Sequence, residues 1–528
     1  MQSQQQFLAQ ERILRCSTIT ELEAEYHAAP LEWRDGLRAT YEARHEQLRE
    51  RKATPSSVRG ICSLDDLGNA QRLVARHGAN LRYCSEFGWL VWDGRRWRLD
   101  DTGSVDRCAQ EVVASLAAEA DQLAKQATEL RAWVAAHLTD TAAVNKLARI
   151  EGIQAALGKH AKNSRSHKAL EHMVARAAKQ LEVVTTTKHL DRHNWLLNVR
   201  NGTLDLLSRT FRAHSREDLL LKCSPTDWNP DANCPRWLQF LEEVQPDPEI
   251  REFLKRYIGM SLTGVIREHV FVINHGQGRN GKGVFQRILT ECIGLDYCQA
   301  APAELFMTKG QGDAHPTEKM VLFGKRLVFV SETEEGKALN VALVKQLSGG
   351  DPITARKMRQ DFVTFDPTHH ILLATNGKPR IKDTGHAIWA RIRLIPWDVS
   401  FEGREDHGLE MALRGELKGI LAWAVEGCYE WQERGLDTPR AILDASAAYR
   451  AAEDLIGQFL EESCVFAEHH SIRVSDLRRA YVEWCSRAEV YPASPQIFNA
   501  ALDVRRIRQS VRSGPGGSER RWLGVMLA

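Results

Sequence analysis

The chain has 528 residues, 43% apolar and 27% charged, with a formal net charge of +2. That is the make-up of an ordinary globular chain with room for about three or four domains. It excludes a global polycation, so any nucleic-acid surface is local, and no run approaches the roughly 18 apolar residues of a membrane span, so no membrane partner is expected. The eleven cysteines stand singly, without a Cys-x-x-Cys pair, and do not combine with the nineteen histidines at zinc-finger spacing. They read as reduced thiols of a cytosolic protein. The opening MQSQQQFLAQER lacks the basic-then-apolar pattern of a signal peptide, so a cytoplasmic location is expected.

In chain order, residues 1–55 form a helical segment, with Leu22, Tyr26, Leu31, Leu37 and Tyr41 at roughly helical spacing and a polar linker from 51 to 60. Residues 60–230 read as a mixed α+β domain. A helix starts at Ser63, a hairpin is centred on Asp93-Gly94, and a helical tract fills 105–185 with a basic interruption at 158–168. A second strand pair follows with its turn at Asn201-Gly202. Pro- and Asn-rich LKCSPTDWNPDANCP closes this block. From 231 to 455 helices lead into alternating short apolar runs and helical segments, the pattern of an α/β sheet with one inserted antiparallel hairpin. Residues 456–528 form a small Arg-rich segment reading helix, helix, hairpin, the pattern of a winged helix.

The chemistry concentrates in HGQGRNGKGVF. Gly276, Gly278, Asn280, Gly281, Lys282, Gly283 and Val284 lie between the strand HVFVI and the helix VFQRILTECI. Strand, glycine loop, helix is the setting in which backbone N–H groups and a helix N-terminus close around phosphates, with Lys282 on the β and γ phosphates of ATP. A glycine-rich turn is the bland alternative. Position 283 would ordinarily be Ser or Thr, a Mg²⁺ ligand; glycine removes it, and water can take its place. The strand LVFV ends in SETEEG, where Glu332 and Glu334 could hold Mg²⁺ or polarise water, or simply form a solvated acidic turn. HHILLATN ends in Asn376, placed either to orient an attacking water or to form a turn. In WARIRLIPW, Arg391 and Arg393 share a face if the segment is extended. One of them could be an arginine finger, or a surface arginine paired with an acid.

GQGRNGKG, LVFVSETEEG, LVKQLSGGDPITARKM, HHILLATNGKP and WARIRLIPW, in that order, resemble the superfamily III helicases of the phage/plasmid primase type, a family that includes the poxvirus primase-helicase. SLDDLGNAQRL, WLVWDGRRW and NVRNGTLDL resemble the domain preceding the ATPase in that family. The resemblance covers about 60–528. It implies a P-loop, AAA+-like ATPase core at 231–455 behind a collar or oligomerisation domain, and a C-terminal winged helix. It implies Lys282 as phosphate lysine, Glu332 as principal acid and Mg²⁺ ligand, Glu334 as supporting carboxylate, Asn376 as sensor and Arg391 as finger. The hairpin ITARKMRQDFVTF would present Arg356, Lys357 and Arg359 to single-stranded DNA. Arg505, Arg506, Arg508, Arg520 and Arg521 would meet origin duplex DNA.

No primase domain is evident in residues 1–55. The reading is therefore a homo-hexameric, ATP- and Mg²⁺-dependent replicative helicase of a phage, satellite or plasmid-like element in a bacterial host cell, working with a separate primase or polymerase. Three alternatives stay open: a bifunctional primase-helicase, a nucleotide-switched DNA-binding initiator with little hydrolysis, and a metabolic P-loop kinase, which explains neither the hairpin nor the Arg-rich end.

Overall fold

Apolar residues at helical spacing pair the first two long elements. Helices Ile19–Ala28 and Leu31–Lys52 meet through Leu22, Ala29 and Leu37, and Tyr26 stacks on Tyr41 with ring centroids 4.3 Å apart. The computed structural model describes residues 9–14, 16, 19–52, 63–137, 140–308, 316–331, 337–356, 362–381, 383, 385–514 and 517–528. Among these the chain is a multidomain mixed α/β structure with a helical N-terminal part and a central parallel sheet. No helix among the described residues is long and apolar enough to cross a membrane.

Asp65 opens the next block by capping helix Asp66–His77, its carboxylate accepting from the Gly68 N–H. β1 (Leu81–Cys84), β2 (Gly88–Trp92) and β3 (Trp97–Leu99) form an antiparallel meander. The hairpin expected at Asp93-Gly94 is there, with Trp92 opposite Trp97. Three helices, Ser104–Ala136, Thr141–Asn163 and His167–Ala177, then lead to β4 (Val184–Thr185), which lies parallel to β1. The basic stretch 158–168 breaks the helix only after Asn163. Lys159, Lys162, Arg165 and Lys168 face solvent, whereas His160 turns inward to the Oδ1 of buried Asn69 at 2.9 Å.

A second meander follows: β5 (Leu196–Val199), β6 (Gly202–Asp205) and β7 (Thr210–Arg212). Its first turn is Arg200-Asn201, one residue ahead of the expected position, because Gly202 already pairs with Val199. Leu197, Val199, Leu204 and Leu206 enter the same core as Trp237, Phe253, Tyr257, Phe285 and Trp431. The hydrophobic interior therefore runs without a break from Trp195 to Ile442, across residue 230.

Helix Pro248–Ser261 starts on the Asp247 cap and crosses helix Leu417–Arg434 where both present glycine. A Cβ on Gly259 would lie 2.0 Å from the Cys428 N, and one on Gly427 would lie 2.2 Å from the Lys255 O. Backbone cannot yield as a flexible side chain would. Gly259→Ala is expected to cost roughly 3 kcal/mol by overpacking, read as a lowered thermal unfolding midpoint.

The central sheet comprises β8 (Phe271–His275), β9 (Cys298–Pro302), β10 (Leu327–Ser331) and, after the hairpin β11 (Ile353–Arg356) and β12 (Phe362–Phe365), β13 (His370–Thr375) and β14 (Ile392–Pro396). All five run parallel in the order β14-β8-β13-β10-β9. Strands covered on both faces read as continuous apolar runs, as FVI, LVFV and ILLA do. Helix Lys282–Ile293 covers one face, and Leu343, Val344 and Leu347 of helix Val341–Gly349 cover the other.

The C-terminal segment has its own core around Phe459, Tyr481, Trp484, Phe498 and Trp522. Its elements are helix Leu455–Ser463, β15 (Cys464–Arg473), helices Val474–Arg487 and Pro495–Val504, β16 (Gln509–Gly514) and β17 (Gly517–Leu527). The helix-helix-hairpin expectation lacked β15. That strand, CVFAEHHSIR, carries a bulge between Phe466 and Ser471 which breaks its alternation, and it pairs with β17 to make the sheet three-stranded.

Candidate functional site

Parallel strands put the loops that follow them along one edge of the sheet. The segments that leave β8, β13 and β14 therefore share that edge with Ser331, the last residue of β10. Residues 276–281 leave β8 and enter helix Lys282–Ile293 through Gly281, whose φ of +84° suits a residue without Cβ and whose Cβ would strike Val244 Cγ1 at 2.4 Å. Gly276 fits for another reason: a Cβ there would lie 2.2 Å from the Trp397 O. Gly281 offers no side-chain cap, so the first N–H groups of a twelve-residue helix point out with the positive end of its dipole.

Lys282 is the centre of the arrangement. It is 7% exposed, and its Nζ donates to the Gly276 O at 2.6 Å and to the Asn376 Oδ1 at 3.4 Å. The structure thus brings together two of the predicted residues that lie 94 positions apart in the chain. Burial pushes the Lys282 amine down to about 8, because the charged form loses solvation. An ammonium held this way is poised to gain from an anion. His275, at the end of β8, is also held below its ordinary value, first by burial and then by Lys378 and Lys282.

Other predicted residues find specific places. The Asn280 side chain is buried and donates from Nδ2 to the Trp397 O at 3.0 Å, so it braces the loop from below. Gly278 has φ +94° and is partly exposed, Gly283 is exposed, and Val284 is partly buried against the core. Glu332 and Glu334 lie outside the described residues. Among the described residues, the acid strand's contribution ends at Ser331, whose hydroxyl donates to Gln286 Oε1 at 3.2 Å.

Arg391 corrects the sequence expectation. It does not share a strand face with Arg393, because β14 begins at Ile392 and Arg391 closes the short helix His386–Trp389, its N–H bonded to the Ile388 O. It lies beside the start of β8, with its carbonyl accepting from the Phe271 N–H. That is the edge of the sheet opposite Lys282. Its Nη1 donates to the Ala387 O at 2.8 Å, and no ion pair involving it is found among the described residues. Arg393 instead donates to Thr438 Oγ1 at 3.1 Å.

For the DNA-facing residues, the hairpin β11–β12 stands as expected, Arg356 opposite Phe362 with its guanidinium 5.3 Å from that ring. Lys357 and Arg359 lie outside the described residues. At the C-terminal end Arg506, Arg508 and Arg520 are exposed. Arg505 is bound to Asp454 and donates to the Ala501 O at 3.0 Å. Arg521 is held by Glu519 at 2.9 Å and by Ser471. These two arginines tie the segment together internally.

Sequence reading missed Trp397 and Gln286. Trp397 closes the floor of the glycine loop, its N–H on the His275 O at 2.7 Å and its ring 5.6 Å from Phe285. Only strand order, β14 beside β8, reveals it. Gln286 stands one helical turn after Lys282, a spacing that was available.

Two stretches of the chain match known families. Residues 70–246 match the family described as D5 N terminal like, and residues 274–391 match a family of unknown function, DUF5906. A protein of Acanthamoeba polyphaga mimivirus named "Putative helicase" is 24% identical over 324 residues, covering 56% of this chain and 33% of that protein. One of Invertebrate iridescent virus 3, also named "Putative helicase", is 24% identical over 331 residues, covering 56% and 35%. An African swine fever virus protein named "Putative primase" is 23% identical over 346 residues, covering 60% and 34%. The chain thus spans about a third of the length of these relatives. The apo structure of the NrS-1 C-terminal region superposes with a TM-score of 0.46 at 11% identity, covering 87% of this chain and 99% of that one. By sequence, therefore, the chain is similar to the D5 N terminal like family over 70–246 and to DUF5906 over 274–391, and it is distantly related to viral proteins that carry the names of helicases and primases.

Proposed function

We propose that the chain is an ATP-dependent replicative DNA helicase of a phage, satellite or plasmid-like element, moving on single-stranded DNA as a homo-hexameric ring. The observation that carries this is the buried Lys282 ammonium, held between the glycine loop and Asn376 at the edge where the five parallel strands end. The names of the viral relatives support the DNA substrate.

In this reading the loop N–H groups and Lys282 bind and orient the triphosphate, and Asn376 Oδ1 accepts a hydrogen bond from the attacking water. Glu332 takes up that water's proton and Glu334 supports it. Bound Mg²⁺ would supply charge neutralisation at the phosphates; Glu332 would hold it, and the neighbouring Ser331 Oγ is an oxygen donor that suits so hard a cation. Arg391 reaches the site of the neighbouring subunit. Arg356, Lys357 and Arg359 grip the strand in the channel. The C-terminal segment acts as a winged helix on origin duplex DNA. Phosphate release stimulated by single-stranded DNA, together with displacement of a strand from a tailed duplex, is the expected result. A protein that releases no phosphate with either DNA form would sink the reading.

Exposure sorts the arginines of the C-terminal segment. The pair Arg508→Ala and Arg520→Ala is expected to reduce the salt dependence of duplex binding by about 0.9 for each phosphate left without its arginine, measured by anisotropy titrations across salt concentrations. Arg505→Ala removes the partner of Asp454 and is expected to lower the unfolding midpoint instead.

A second reading has one observation behind it. The African swine fever virus relative is named a primase, and this chain spans 34% of its length. A helicase that works in one polypeptide with a primase accommodates that. Primer synthesis from ribonucleotides on a single-stranded template would establish it.

A further inference from the structure

The nucleotide reading leaves position 283 without the hydroxyl that a metal-nucleotide site ordinarily carries in the first turn of its helix. Another hydroxyl stands nearby. Ser331 is the last residue of β10, exposed at the same sheet edge as Asn376, and it immediately precedes Glu332. In the parallel register Ser331 is level with Ala374, and Ala374 with Asn274, so all three share one face. The bond between the Ser331 hydroxyl and Gln286 Oε1, at 3.2 Å, identifies that face as the one beneath helix Lys282–Ile293. Gln286 is itself 9% exposed and lies four residues after Lys282 and three after Gly283, on the helix flank that overlies the strand ends.

A serine hydroxyl has one proton and two lone pairs. Here the proton goes to Gln286 Oε1, and among the described residues no donor is found on the two lone pairs, whose direction that bond fixes. Gly283 meanwhile is open. A Cβ there would meet only the Arg287 guanidinium, at 3.1 Å, the far end of a flexible exposed side chain that pairs with Glu410.

We propose that Ser331 supplies from the acid strand the hydroxyl oxygen that Gly283 lacks in the helix. It would contribute to the Mg²⁺ shell of a bound nucleotide directly or through one water, and Gln286 is the positioning residue that aims it. The assignment rests on the nucleotide reading of Lys282 and says how the metal is held in that site.

The test uses the full chain and a fluorescent ATP analogue, titrated once with Mg²⁺ and once with EDTA. The parent is expected to bind more tightly with Mg²⁺. Ser331→Ala is expected to lose at least about tenfold of that metal-dependent gain, the scale on which removing one supporting group weakens a metal site, while its affinity in EDTA stays that of the parent. Gln286→Leu loses part of the gain. Adding Gly283→Thr to Ser331→Ala restores it, which a mere folding defect at Ser331 would not allow. The proposal is overturned if Ser331→Ala keeps the full gain, if it weakens binding equally in EDTA, or if Gly283→Thr fails to restore it. Lys282→Ala separates the two layers. Should the parent bind no nucleotide, and Lys282→Ala change nothing, the nucleotide reading falls and this assignment with it.

Discussion

Lys282→Ala is expected to reduce DNA-stimulated phosphate release by at least about 100-fold, the scale on which removing a preorganised charge from a reacting phosphate acts, without lowering the thermal unfolding midpoint. The two halves have one cause. The Lys282 amine is buried, with its proton donated to the Gly276 O and the Asn376 Oδ1. Burial holds it at about 8 rather than its ordinary value. An unfolded lysine binds its proton more tightly, so below pH 8 the folded chain carries a charge that folding disfavours. That penalty fades as pH rises from about 8 through the ordinary lysine range, where only the folded form has lost its proton. Removing the amine removes the penalty along with the hydrogen bonds.

The same reasoning predicts a pH signature. A bound triphosphate restores the charged amine, so above pH 8 binding must take up a proton. Nucleotide affinity is then expected to fall by up to about tenfold per pH unit above 8, with proton uptake visible by calorimetry in buffers of different ionisation enthalpy. Lys282→Arg, whose guanidinium does not titrate in this range, should show a flat profile. A parent profile that is flat as well would refute the role of the amine.

Arg391→Ala is expected to abolish hydrolysis while leaving nucleotide affinity intact, with a loss of about 10³-fold or more if it acts as an arginine finger. Position makes the prediction specific. Arg391 sits at the start of β14, beside Phe271, and Lys282 follows the far end of β8. Five strand residues at about 3.3 Å each put roughly 15 Å of sheet between them. Arg391 therefore cannot serve the site of its own subunit. Mixing Arg391→Ala with Lys282→Ala protein should recover part of the activity, because some interfaces then pair an intact loop with an intact arginine. No recovery in mixed rings, when ring assembly is verified by mass, would show that Arg391 does not act between subunits.

How much of this was legible in the sequence varies by element. The strands β8, β10 and β13 were readable because a strand buried on both faces needs a continuous apolar run, and FVI, LVFV and ILLA are such runs. β9 was not read, since CQAAP has no β-branched residue and finds its pairing only at the edge beside β10. β15 escaped because its bulge spoils the two-residue period. The hairpin turns were found within one residue, Asp93-Gly94 in place and Asn201-Gly202 shifted, since turn chemistry is local but register is settled by the partner strand.

The order of short motifs, their spacing, and the helix that follows the glycine loop are local properties, and the sequence by itself determined that Lys282 opens a helix behind a glycine loop and that Asn376 follows a buried strand. Strand order is not local. It is chosen by which apolar faces can be covered together, and it alone sets β13 between β8 and β10, bringing the Asn376 Oδ1 within 3.4 Å of the Lys282 Nζ. It alone lays Trp397 under the glycine loop and turns the Ser331 hydroxyl toward Gln286. Among the C-terminal arginines, composition showed charge, but only packing decided that Arg505 and Arg521 are bound internally while Arg506, Arg508 and Arg520 face solvent.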